Sequence, residues 1–176
     1  MILNYYFNEE FIGETTLKLL DFLNNCAMMR DDEGNLPSVN IYLNSPGGSV
    51  AEYQLIKNML ETSELDITLI GSYELSSSTF LLFYFTDNVN KLLLDGCFAT
   101  IHTADLHFSD RERRIGSDFS IKMTENLNKM NELFYTKLKD YKILNPTQLK
   151  RFLKGDDIIL LDEDLRRIMK NCIFKK

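Results

Sequence analysis

The hydrophobic positions along this chain switch repeatedly between two periods. Val39, Ile41 and Leu43 alternate with Asn40, Tyr42 and Asn44, the period-2 pattern of a half-buried strand. "ILNYYF" at the start and "DITLIG" from Asp66 read as further strands. Leu92 to Leu94 and Phe98 to His102 read as two more, split by Asp95-Gly96. Between them the period becomes helical. Leu17, Leu20, Leu23 and Ala27 form a stripe across 15–29, and Val50, Tyr53, Ile56 and Leu60 form another. "SSSTFLLFYF" predicts a buried helix. Leu127, Met130, Phe134, Leu138 and Tyr141 predict a long amphipathic helix over about 118–143. "LNPTQLKRFL" predicts a short helix with Pro146 in its first turn, and "DDIILLDEDLRRIM" an extended piece and a last helix. Strands alternating with helices predict an α/β fold with a mostly parallel sheet. In such sheets ligands meet the carboxyl ends of the strands.

A length of 176 residues fits one domain spanning 1–176 with a sizeable core. The net charge of -6 argues against a nucleic-acid backbone as partner. Cys26, Cys97 and Cys172 are odd in number and far apart, which fits neither a disulfide framework nor a zinc site. That usage predicts a reducing, cytoplasmic setting. The first residues lack the basic region of a secretory signal, and the longest apolar run, Phe80 to Phe85, is too short to span a bilayer. No metal, cofactor or nucleotide is expected.

Two stretches at predicted strand ends carry candidate chemistry. The first is "NSPGGSV", residues 44–50. Gly47 and Gly48 permit positive φ and close approach of another group. Their N–H groups beside a helix start suit an anion, either a phosphate or a transient oxyanion. No Lys-Ser/Thr follows them and no G-x-G-x-x-G is present, so the known phosphate-loop patterns are missing. The plainer reading is a strand-to-helix turn capped by Ser49. The second stretch is "GSYELSSSTF", where a serine at a strand-to-helix turn could present its hydroxyl beside backbone N–H groups. Serines also cap helices without further role. His102 ends the strand-like "CFATIH"; the other histidine, His107, lies in a polar loop. A histidine general base therefore has two candidates.

Together these residues resemble the ClpP serine peptidase family, within the wider crotonase-like fold. "YLNSPGGSV" is similar to the family's glycine loop almost letter for letter. "GSYELSSSTFLLF" is similar to its nucleophile stretch once one extra residue is allowed before the serine, and anchoring on "FLL" implies Ser76 as nucleophile. "TIHT" supplies His102 at the family's spacing, and "GDDIILLDEDL" implies Asp157 as third member, with Asp156 as runner-up. The likeness runs from the first helix to the last. Glu74, Leu75 and Ser78 replace the small residues usual around the nucleophile, so the chain resembles a divergent member of the phage or accessory kind.

The resemblance implies repeated ββα units with a protruding long "handle" helix. It implies a serine endopeptidase that acts on peptides or unfolded proteins without using ATP itself. Ser76, His102 and Asp157 would form the triad, and Gly47 or Gly48 with Ser77 would supply the oxyanion hole. Ser49 and Val50 would guide an extended substrate. A β-branched residue at Gly48 is expected to harm activity more than stability. Partners would be further copies in a hexameric or heptameric ring, singly or face to face, and an ATP-dependent unfoldase. The alternative is a catalytically silent ring or scaffold subunit of the same fold. An acyl-CoA enzyme of the crotonase type and a phosphate-binding module stand further off.

Overall fold

The computed structural model describes residues 1–104 and 117–173, with side chains described for 1–104 and 121–170. His107 lies outside the described residues. These residues fall into two units, 1–101 with 159–176, and 102–158.

The first unit is built on parallel strands. They are β1 (Ile2–Phe7), β2 (Ser38–Ser45), β3 (Asp66–Ser76), β4 (Asn90–Leu93) and β5 (Phe98–Ile101). A short β6 (Ile158–Leu160) completes the order β1-β2-β3-β5-β6, with β4 paired to β3. The registers bring Leu3, Val39 and Ile67 into one row, and Tyr5, Ile41 and Leu69 into the next. Val39, Ile41, Leu43, Ile67 and Leu69 are all buried, as period-2 alternation requires. β3 is central. It pairs with β2 on one side, with β4 along its first half on the other, and with β5 near its end, where Ser76 faces Thr100.

Helices α1 (Gly13–Met28), α2 (Val50–Thr62) and α3 (Ser77–Phe85) pack in succession on the buried side. The buried face of α2 includes Tyr53, Ile56 and Leu60, as the pattern predicts. The α1 stripe differs. Its buried residues are Thr15, Thr16, Leu19, Leu23 and Cys26, while Leu17 is 59% exposed. Two buried threonines let the helix turn a face that hydrophobicity alone does not mark. Thr15 Oγ1 donates to the Glu10 carbonyl at 2.6 Å, which offsets the cost of burying its hydroxyl.

β3 also runs further than expected. "SYEL", read as a connection, continues the strand to Ser76. Between Leu43 and Ser45 the β2–β3 register shifts, so two steps on β2 face four on β3. Ser72 Oγ donates to the Leu43 carbonyl (2.9 Å) and the Glu74 N–H donates to Asn44 Oδ1 (3.2 Å) across the irregularity. A bulge of this kind absorbs extra residues without breaking the sheet. It lies in the stretch where the family resemblance needs an extra residue.

The second unit holds α4 (Ser117–Asp140) and α5 (Pro146–Phe152). Phe134 and Leu138 of α4 are buried, with Ile143, Leu144 and Phe152. The rings of Phe134 and Phe152 meet edge-on at 5.6 Å. Asn145 caps α5 in a capping box with Gln148, ahead of Pro146. In the first unit, α6 (Asp162–Ile173) follows β6. No helix among the described residues is long and apolar enough to cross a membrane.

Candidate active site

The glycine loop leaves the carboxyl end of β2 and is pinned from three sides. Phe11 N–H donates to the Gly47 carbonyl (2.6 Å), and Ser49 N–H donates to the Phe11 carbonyl (2.9 Å), a one-residue parallel bridge. Ser45 Oγ donates to the Glu9 carbonyl (2.6 Å) and accepts the Gly47 N–H (3.1 Å). From α3, Ser78 Oγ donates to the Gly48 carbonyl (3.2 Å) and Thr79 Oγ1 donates to the Ser45 carbonyl (3.1 Å). Ser49 caps α2, its Oγ accepting the Glu52 N–H at 3.4 Å.

Both glycines have positive φ, +95° at Gly47 and +131° at Gly48. Each also makes a close approach that no other residue permits. A Cβ on Gly48 would lie 2.7 Å from both the backbone nitrogen and oxygen of Phe11. A Cβ on Gly47 would collide with Ser76 Oγ. A β-branched residue at Gly48 therefore strikes backbone, so a cost in stability comes with any loss of activity.

This bonding separates the two glycine N–H groups. The Gly47 N–H is held by Ser45 Oγ, whereas no acceptor among the described residues takes that of Gly48, and Gly48 is exposed. Ser76 ends β3 and precedes α3, so Ser77 opens the helix, where the first N–H groups have no intrahelical acceptor. Ser76 is only 3% exposed, and its Oγ has no hydrogen-bond partner among the described residues. Its neighbours in the serine run are engaged: Ser77 Oγ reaches the Thr100 carbonyl at 3.5 Å, and Ser78 and Thr79 hold the loop. Cys97 is no competing nucleophile. Burial pushes its thiol up to about 12, helped by the Asp162 charge, so it is protonated at neutral pH.

His102 and Asp157 belong to the second unit. His102 follows β5 directly in the chain and is half-buried. Its Nδ1 lies 2.9 Å from the Thr103 carbonyl, which can only accept, so Nδ1 is the donor, and in the neutral ring the lone pair falls on Nε2. Asp157 is exposed, and no hydrogen bond or ion pair of its carboxylate occurs among the described residues. Asp156 pairs with Arg151 at 3.0 Å. Val50 opens α2, and the Ser49 N–H is already taken by Phe11, so one edge of the stretch after the glycines is closed to strand addition. On the other edge the Gly48 carbonyl takes Ser78 Oγ, while its N–H has no acceptor among the described residues. Sequence reasoning did not single out Phe11 or Asn131. Phe11 reads as one more core aromatic; only the paired glycines signal that something must approach them.

No group of His, Cys, Asp and Glu suited to a metal ion occurs among the described residues. No curated protein matches the chain at a significant level. Among solved structures it is similar to a mutant of ClpP1 from Listeria monocytogenes, at 16% identity and a TM-score of 0.67 over 94% of this chain and 86% of that one. That likeness establishes the fold. A family model described as Clp protease matches residues 24–159, a span that takes in the glycine loop, Ser76, His102 and Asp157. The chain therefore belongs to the Clp protease family, a family of peptidases.

Proposed function

We propose that the chain is a serine endopeptidase with Ser76 as nucleophile. The observation that carries this reading is the buried Ser76 hydroxyl, without a hydrogen-bond partner among the described residues and seated where Gly47 has no side chain. A buried hydroxyl without a partner costs about 1–3 kcal/mol, a cost that a purely structural serine run would not be expected to retain. Ser76 Oγ attacks the scissile carbonyl and its proton passes to His102 Nε2. The tetrahedral oxyanion takes hydrogen bonds from the N–H groups of Gly48 and Ser77. His102 then gives the proton to the leaving amine, the C–N bond breaks, and water repeats the sequence to release the acyl group. Asp157 takes over the Nδ1–H from the Thr103 carbonyl as the imidazolium forms and steadies its charge. One oxyanion donor is typically worth about 10²–10³ in rate.

The substrate is an extended peptide or unfolded protein lying along the Gly48 edge beside Ser49 and Val50. Nothing in this chemistry uses ATP. Family membership supports a homo-oligomeric ring, hexameric or heptameric, and an ATP-dependent unfoldase as partner, in a cytoplasmic setting.

A second reading has its own observation. Asp157 is exposed and has no partner among the described residues, while His102 Nδ1 is bound to a backbone carbonyl, which suits a silent ring or scaffold subunit. Intact mass after treatment with a fluorophosphonate separates the two. A single adduct on wild type that is absent from Ser76→Ala supports the peptidase. An adduct that survives the substitution moves the nucleophile to another serine, and no adduct on folded protein favours the silent subunit.

A further inference from the structure

Asn131, within α4, grips the backbone of Ala104 at both of its polar groups. The Ala104 N–H donates to Asn131 Oδ1 at 2.8 Å, and Asn131 Nδ2 donates to the Ala104 carbonyl at 3.1 Å. The pattern fixes which end of the amide is oxygen, since an N–H and a C=O demand opposite partners. Both residues are half-buried, so the bonds are partly shielded from competing water.

The peptide group that joins Thr103 to Ala104 is held from two directions. Its N–H is the one bound by Asn131, and its C=O is the one that accepts from His102 Nδ1 at 2.9 Å. A peptide unit is planar and rigid, so gripping the N–H sets the direction of the C=O at its other end. Hydrogen bonds on both ends of one amide also polarise each other and strengthen. Histidine in water prefers the proton on Nε2. A fixed acceptor at Nδ1 reverses that preference and leaves Nε2 ready to take a proton.

We infer that Asn131 is the positioning residue of His102, holding it through the Thr103–Ala104 peptide in the tautomer a general base needs. The inference rests on the proposed peptidase reading for its purpose, though not for its geometry. It ties His102 to the helix α4.

The test is long-range proton–nitrogen NMR on protein labelled with ¹⁵N-histidine, alongside the rate of fluorophosphonate addition. The chain has only 2 histidines, so a His107→Gln variant assigns the His102 signals. At a pH where His102 is neutral, the wild type is expected to show the Nδ1–H tautomer. Asn131→Ala removes both bonds, and Asn131→Leu, close to asparagine in size, also removes both while filling the space. Both variants are expected to move His102 toward Nε2–H and to slow adduct formation about 10-fold, part of the 10²–10⁴ a general base supplies. Should Asn131→Ala fail to fold, Asn131→Leu decides alone. A wild-type His102 already in the Nε2–H form overturns the inference. So do folded variants that keep Nδ1–H, even with a lowered Tm, because Asn131 would then be only a structural brace. If the wild type forms no adduct at Ser76, the peptidase reading fails while the tautomer still decides this one.

Discussion

Ser76 Oγ occupies the space that a side chain on Gly47 would need. The glycine is thus required twice, by its φ of +95° and by its neighbour. Gly47→Ala is expected to cost about 1–3 kcal/mol in backbone strain. It must also displace the Ser76 hydroxyl, and a misplacement near 1 Å is enough to slow phosphonylation on the order of 10²-fold. Gly34→Ala is the matched control. Gly34 has a similar φ of +84° and nothing within 4 Å of the added methyl. It should lose comparable stability in urea unfolding and react at the wild-type rate. Equal rates for both variants would show that Gly47 shapes only the backbone.

The serine run anchors the loop rather than merely capping α3. Thr79 Oγ1 is buried and donates to the buried Ser45 carbonyl. Thr79→Val keeps the shape and removes that bond from a buried carbonyl, so a loss of about 1–3 kcal/mol is expected. Ser78→Ala removes a part-buried bond to Gly48 and should cost about 0.5–1.5 kcal/mol. Because the Gly48 carbonyl then loses its tether, the second variant should also react more slowly with the fluorophosphonate. Denaturation midpoints and labelling rates, measured on the same samples, separate the two effects.

Much of this was legible in the sequence, and the failures share a cause. The alternation of Val39, Ile41 and Leu43 and the stripe of Tyr53, Ile56 and Leu60 follow directly from period, because one face of each is buried. The glycine pair announced a close approach but not its partners: Phe11 on one side and Ser76 on the other come from distant parts of the chain. The sequence pattern ends β3 too early because "SYEL" mixes polar and apolar residues without alternating. The strand persists there through side-chain bonds from Ser72 and to Asn44, which no periodicity encodes. In α1 the hydrophobic stripe meets the buried face only at Leu23, partly because the buried Thr15 and Thr16 do not count as hydrophobic. The Asn131 clasp joins residues 27 apart through backbone groups, which have no sequence signature at all.

Glu61 links stability to pH. Burial alone would raise its carboxyl. The Asp87 N–H, the Lys57 ammonium bound to it and the nearby Lys91 charge overcome this and hold it below the ordinary glutamate value. A lowered folded pKa means the unfolded state takes up the proton first. The contribution is therefore complete above about pH 4.3, the unfolded glutamate value, and is lost as pH falls through the lower folded one. Glu61→Gln should lower the Tm at pH 7, and the gap to wild type should close on acidification below about pH 4.3. A gap that is constant with pH would mean the side chain acts by packing and neutral hydrogen bonding alone.

Asp157 and Asp156 are adjacent carboxylates with different surroundings, and that difference sets the sharpest test of the relay. Asp156 is committed to Arg151, whereas Asp157 is exposed and has no partner among the described residues. If Asp157 takes the Nδ1–H when charge develops on His102, Asp157→Asn removes that stabilisation only in the transition state. The substitution should then leave the Tm nearly unchanged, as most exposed sites do, within about 0.5 kcal/mol. It should slow turnover of a peptide substrate by about 10²-fold or more, within the range a general base and its orienter supply. Asp156→Asn should do the opposite, with a surface ion pair worth at most about 1 kcal/mol removed and the rate kept. If instead Asp157→Asn turns over at the wild-type rate, the Thr103 carbonyl alone serves His102, and the chain works as a serine–histidine pair.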